Sequence, residues 1–170
     1  MIKLYNIDHF DLEQTFLCGQ AFRWEKDEAG VFYGIVGNNV AKVYHYDENT
    51  IYIESNNPDL VFWSNYLNFS CDYSAAEAAL SSDKIIRPCI NAGRGIRILR
   101  QDLWETIVSF IISANNNIPR IKKIINKMCE LFGEKIEFDG KVFYGFPTPE
   151  TLSKLEITDS DNCEIYVNSK

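Results

Sequence analysis

The sequence predicts an α+β protein in which an antiparallel sheet is followed by a set of helices. Two observations carry this expectation. From Ile2 to Ser55, short runs rich in Val, Ile, Phe and Tyr alternate with turn-forming stretches. From Leu103 to Phe132, the apolar residues recur at helical spacing instead. A chain of 170 residues that is 46% hydrophobic and 24% charged can bury a substantial core.

The strand-like runs are Ala21–Glu25, Val31–Val36, Val40–Tyr46 and Thr50–Glu54. Asp27-Glu28-Ala29-Gly30, Gly37-Asn38-Asn39 and Asp47-Glu48-Asn49 separate them with good turn chemistry. Strands this close together cannot be parallel without crossovers, so the expected arrangement is an antiparallel meander. Asn57-Pro58-Asp59 opens a helical pattern through Leu60, Val61, Trp63, Tyr66 and Leu67. Ser74 is the expected cap of a short Ala-rich helix, Ala75 to Leu80, and Pro88 is expected to break a further one between Lys84 and Ala92.

Leu103, Trp104, Ile107, Val108, Ile111 and Ile112 form one apolar stripe. Ile118, Ile121, Ile124, Ile125, Met128, Leu131 and Phe132 form the next, with Asn117 as N-cap and Gly133 as C′ residue. Asp139-Gly140 signals a hairpin between Lys135 and Phe143. Thr148 caps a last short helix ending near Leu155, and the polar stretch from Ile157 to Lys170 shows no period.

No apolar run approaches the ~20 residues of a membrane span, and no signal-peptide pattern opens the chain. Five cysteines without a Cys-x-x-Cys pair argue against a disulfide framework or zinc site and favour a reducing cytoplasm. The net charge of −7 is unevenly distributed. Lys84 to Lys127 holds nine basic and two acidic residues, +7; the remainder holds eight basic and twenty-two acidic, −14. A basic block in an acidic chain is the footprint of a polyanion site, with a solvated helix surface as the plainer alternative.

The two central helical patterns meet at Ser113-Ala114-Asn115-Asn116-Asn117, a corner of side-chain amides with Arg120 just beyond it. Free N–H groups and an arginine at a helix start suit an anion or an electron-rich base edge. Ser-Ala-Asn-Asn-Asn-Ile-Pro-Arg-Ile, preceded by Ile98-Leu99-Arg100-Gln101-Asp102 and followed by Phe143-Tyr144-Gly145-Phe146-Pro147, resembles the 8-oxoguanine DNA glycosylases. Phe16-Leu17-Cys18-Gly19-Gln20-Ala21-Phe22-Arg23-Trp24 resembles them too. These four motifs stand in the family's order and cover about Asp11 to Leu155, corresponding to the first half of such an enzyme.

The resemblance implies a TBP-like sheet domain over residues 1–100, with residues 101–170 forming an incomplete helical glycosylase domain that lacks the helix–hairpin–helix. It implies that Asn115 and Arg120 contact the cytosine left when the damaged base is flipped out, with Asn116 and Asn117 in the same motif. It implies that the Gly19 carbonyl accepts the N–H that oxidation creates on guanine, although a glycine leading into a strand is the plainer alternative. Lys122, Lys123 and Lys127 are expected to contact phosphates. The implied partner is double-stranded DNA containing oxidised guanine, with a separate C-terminal half as a further partner and no membrane, metal or cofactor.

The family's catalytic lysine and aspartate have no counterpart in this sequence, so the chain is expected to be inactive alone, as a truncated 8-oxoguanine DNA glycosylase/AP lyase. The alternatives are a non-catalytic DNA-binding or interaction module, and a truncated product without function. The expected location is the cytoplasm of a bacterial-type cell, at the nucleoid.

Overall fold

The computed structural model describes residues 1–155 apart from 6, 8, 48 and 49. The stretch from Ile157 to Lys170 therefore lies outside the described residues. Five strands, β1 (Ile2–Tyr5), β2 (Trp24–Lys26), β3 (Phe32–Val36), β4 (Asn39–Asp47) and β5 (Thr50–Ser55), form one antiparallel sheet in the order β1-β5-β4-β3-β2. The meander from β2 to β5 matches the turn pattern, and β1 joins its far edge with Ile2 opposite Ile53.

Alternation along the strands sends Phe32, Val43, Ile51 and Ile53 to one face, where they are buried. Two helices cover that face. One, α1 (Leu12–Leu17), corrects the expectation of a purely strand-like start. Asp11 caps it by accepting the Gln14 N–H at 2.8 Å, and Leu12 and Phe16, four apart, go into the core. Phe16 stacks flat on Trp24 with centroids 3.8 Å apart. The second, α2 (Leu60–Tyr66), is capped by Asp59 and buries Trp63 and Tyr66.

Two further expectations are corrected. α3 (Tyr73–Leu80) starts before Ser74, because Asp72 takes the cap and accepts the Ala75 N–H at 3.0 Å. α4 (Ile86–Ala92) is not broken by Pro88, which lies in the first turn, where an N–H has no intrahelical acceptor to lose.

α5 (Leu103–Ser113) and α6 (Ile118–Phe132) build a second cluster. Ile121, Ile125, Met128 and Cys129 are buried against Trp104, Val108, Ile112 and Phe146. The α5 stripe is thereby split: its other half, Leu103, Ile107 and Ile111, is exposed, as is the neighbouring Phe110. Gly133 is not a left-handed cap; its φ is −85°. A Cβ there would stand 2.0 Å from the Gly145 carbonyl oxygen, so close backbone approach is what requires glycine.

The hairpin β6 (Lys135–Phe138) and β7 (Lys141–Tyr144) turns on Asp139 and Gly140 at φ 51° and 71°. It lies over the sheet's outer face, where Tyr33 stacks near Phe143 and donates to Asp139 at 3.0 Å. α7 (Pro149–Leu152), capped by Thr148, follows. Among the described residues, no helix is long and apolar enough to cross a membrane.

Candidate nucleic-acid interface

The corner between α5 and α6 is shaped by its three asparagines, each in a different way. Asn115 is exposed and left-handed at φ 54°, a conformation asparagine tolerates better than most residues. Asn116 is half-buried and donates its amide to the Ile112 carbonyl at 3.2 Å, closing the end of α5. Asn117 caps α6 by accepting the Arg120 N–H at 3.1 Å. Pro119, with no N–H to lose, fits the same first turn. Arg120 is exposed, and its guanidinium makes no ion pair among the described residues.

Gly19 stands beside this corner although it belongs to the turn after α1. Its φ of 93° favours a residue without Cβ, and the place of that missing atom is 3.6 Å from Ile118 Cδ1. Between the turn and α5 lies a cleft of about 170 Å³, lined by Gly19, Gln20, Gln101, Glu105, Ser109 and Phe110 among others. Two motifs distant in sequence thus meet across one opening.

Behind the cleft is a charge pair that the sequence motifs do not reveal. Arg23 is buried and reaches Glu105 at 3.8 Å, while its other terminal nitrogen donates to the Tyr144 carbonyl. Burial pushes the Glu105 carboxyl up to about 7; Asp102 adds to this, and Arg23 and the Gly37 main chain oppose it. Burial also pushes the Cys129 thiol up to about 11, which makes it a poor nucleophile at neutral pH. Among the described residues, no group of three His, Cys, Asp or Glu side chains is placed to hold a metal ion.

The lysines divide. Lys123 is exposed at α6, and Lys127 is exposed but paired with Glu130 at 3.0 Å. Lys122 does not share that face: it is half-buried and donates to the Trp24 carbonyl at 2.9 Å, tying α6 to the sheet. Of the two apolar stripes that meet at the corner, Met128 is buried, whereas Ile111 and Ile124 are exposed.

Residues 2–107 match the family model described as 8-oxoguanine DNA glycosylase, N-terminal domain. The chain is 30% identical over 151 residues to an N-glycosylase/DNA lyase of Arabidopsis thaliana, across 85% of this chain and 41% of that protein. It is 51% identical over 61 residues to the N-glycosylase/DNA lyase of Saccharomyces cerevisiae, across 35% of this chain and 16% of the yeast protein. The 8-oxoguanine glycosylase/lyase of Clostridium acetobutylicum, solved with double-stranded DNA containing cytosine opposite 8-oxoguanine, has the same fold at a TM-score of 0.84. That match is 41% identical and covers 88% of this chain and 52% of the other. The chain spans about half or less of the length of these relatives. With the family model covering more than half of its residues, the chain belongs to the 8-oxoguanine DNA glycosylases, through that family's N-terminal domain.

Proposed function

We propose that this chain supplies the lesion-contacting and opposite-base-contacting elements of an 8-oxoguanine DNA glycosylase/AP lyase in base-excision repair. Its partner is double-stranded DNA with oxidised guanine opposite cytosine. The observation that carries the reading is the nearness of Gly19 to Ile118, whose Cδ1 lies 3.6 Å from where a Cβ on the glycine would stand, so that the glycine turn sits against the asparagine corner.

A glycosylase that flips its target base must read that base and fill the hole left behind. In this reading the Gly19 carbonyl accepts the N–H that distinguishes 8-oxoguanine from guanine. The Asn115 amide and the Arg120 fork donate to the acceptor-rich edge of the unpaired cytosine. Attack on the sugar needs an amine held in near-attack geometry with a carboxylate beside it. No lysine of these 170 residues stands in the family's hairpin context, and a C-terminal half bearing that hairpin is the second proposed partner.

Duplex binding by fluorescence anisotropy, together with borohydride trapping, tests this. The 170-residue chain should prefer 8-oxoguanine opposite cytosine over an undamaged duplex. Arg120→Ala should weaken binding opposite cytosine more than opposite adenine, whereas Lys123→Ala should act equally on both. Borohydride should trap no covalent complex. Equal losses on every duplex remove Arg120 from base reading, and a trapped complex mapped to one lysine overturns the assignment of a non-catalytic half.

A further inference from the structure

We propose that Gln20 and Gln101 are positioning residues that set lesion preference by fixing the Gly19 turn. This rests on the reading of Gly19 given above.

Gln20 immediately follows Gly19 and is held by four hydrogen bonds. Its side-chain amide nitrogen donates to the Thr15 and Arg97 carbonyls, both at 2.8 Å. Its side-chain oxygen accepts the Leu99 N–H at 3.0 Å. Its main-chain carbonyl accepts the Gln101 amide at 2.6 Å. The partners come from two places: the end of α1, and the segment before α5, where Gln101 stands next to the α5 cap. Thr15, itself fully buried, braces the same segment by donating to the Gly95 carbonyl and accepting the Arg97 N–H, each at 3.1 Å.

Only a primary amide satisfies this set. It offers two donors and an acceptor on one planar group, and the arrangement uses both donors and one acceptor site. A carboxylate of the same size would set acceptors against two carbonyl oxygens. An apolar side chain would leave the Thr15 and Arg97 carbonyls and the Leu99 N–H short of partners.

These bonds bear on discrimination as well as folding. Guanine and 8-oxoguanine differ at the Gly19 carbonyl by a lone pair against an N–H. A single acceptor separates them only if its distance and direction are fixed, because a hydrogen bond weakens steeply off its geometry. Contacts to phosphates tolerate far larger displacement. Loosening the turn should therefore cost lesion preference before general DNA affinity.

The test uses the full 170-residue chain and two duplexes that differ only in guanine or 8-oxoguanine opposite cytosine. Gln101→Ala, which removes one bond, and Gln20→Glu should each bring the ratio of the two Kd values close to one. The loss should be at most about tenfold, the worth of one hydrogen bond. The Kd for the undamaged duplex should stay within about twofold of wild type. Acidification should return part of the preference to Gln20→Glu, since a protonated carboxyl regains one donor. Full preference in both variants overturns the proposal, as does a parallel loss on both duplexes. A wild-type chain with no preference overturns the reading of Gly19 itself and takes this inference with it.

Discussion

Glu105→Gln should alter how stability responds to pH. The Glu105 carboxyl is pushed up from 4.5 to about 7, chiefly by burial. A group raised in the folded state keeps its proton where the unfolded chain has lost it. Its stabilising contribution is full below about pH 4.5 and is lost as pH rises through about 7. At about 1.4 kcal/mol per pH unit, that interval amounts to on the order of 3 kcal/mol. The side chain is only 14% exposed, so solvent screening takes little from this. The attraction of Arg23 is already contained in the value, since it opposes the rise.

Glutamine has the shape of the protonated acid and does not titrate, so the variant should resemble wild type at pH 5 and exceed it at pH 8. The other groups facing Glu105 do not confuse the comparison. Cys129 sits at about 11 and burial raises Tyr66 as well, so both stay neutral over this range. Asp102, the exposed cap of α5, is present in both proteins. Urea unfolding at the two pH values should show the difference between variant and wild type growing by about 2 to 3 kcal/mol on going from pH 5 to pH 8. A difference constant within about 0.5 kcal/mol would show that Glu105 is solvated and ionised throughout, which removes the buried pair.

Two further outcomes concern packing. Gly133→Ala should destabilise by at least about 2 kcal/mol in urea unfolding, because the new methyl meets the backbone carbonyls of Gly145 and Cys129, not a side chain that can swing away; a loss below about 0.5 kcal/mol would mean that the hairpin shifts freely. Leu103 and Ile107, 73% and 45% exposed, lie one turn apart on the bare side of α5, so the chain should self-associate and bind a hydrophobic dye. The double variant Leu103→Lys, Ile107→Lys should lower both signals in sedimentation and fluorescence, and a wild-type chain that is monomeric and dye-free at high concentration refutes the idea.

The sheet was legible because each turn carried its own chemistry. Asp27 to Gly30, Gly37-Asn38 and Asp139-Gly140 mark chain reversals by residue type alone. The long helices were legible because their apolar period runs over several turns. The α1 helix was not: six residues hold too little period to stand out, and only Asp11 before Leu12 and Phe16 signalled it. The halved stripe of α5 shows another limit. Periodicity reports which residues are apolar, and it does not say which side finds a partner. Cross-element pairs such as Arg23 with Glu105, or Gln20 with Leu99, were visible only as letters within motifs. Their geometry depends on how the sheet and α5 are brought together, and no local pattern encodes that.

The basic stretch from Lys84 to Lys127 shows why charge counted along a sequence overstates a binding surface. Arg97 is buried, donating to the His9 and Asn68 carbonyls with its guanidinium over the Phe69 and Tyr73 rings. Arg94 pairs with Glu77 and Lys127 with Glu130. Arg87 donates to the Ser81 carbonyl, Arg100 to the Ser70 hydroxyl and Lys122 to the Trp24 carbonyl. Each of these cations serves a link within the chain. Arg120 and Lys123, exposed near the start of α6, have no ion-pair partner among the described residues, and the corner at Asn115 stands beside them. Phosphate attraction scales with the cations free to displace counterions, so under the proposed function the affinity for duplex should fall short of what a charge of +7 would give. Under the same proposal, selectivity rests on the neutral, hydrogen-bonded parts of the cleft, the Gly19 turn and the amides around it, whose contribution salt screens little.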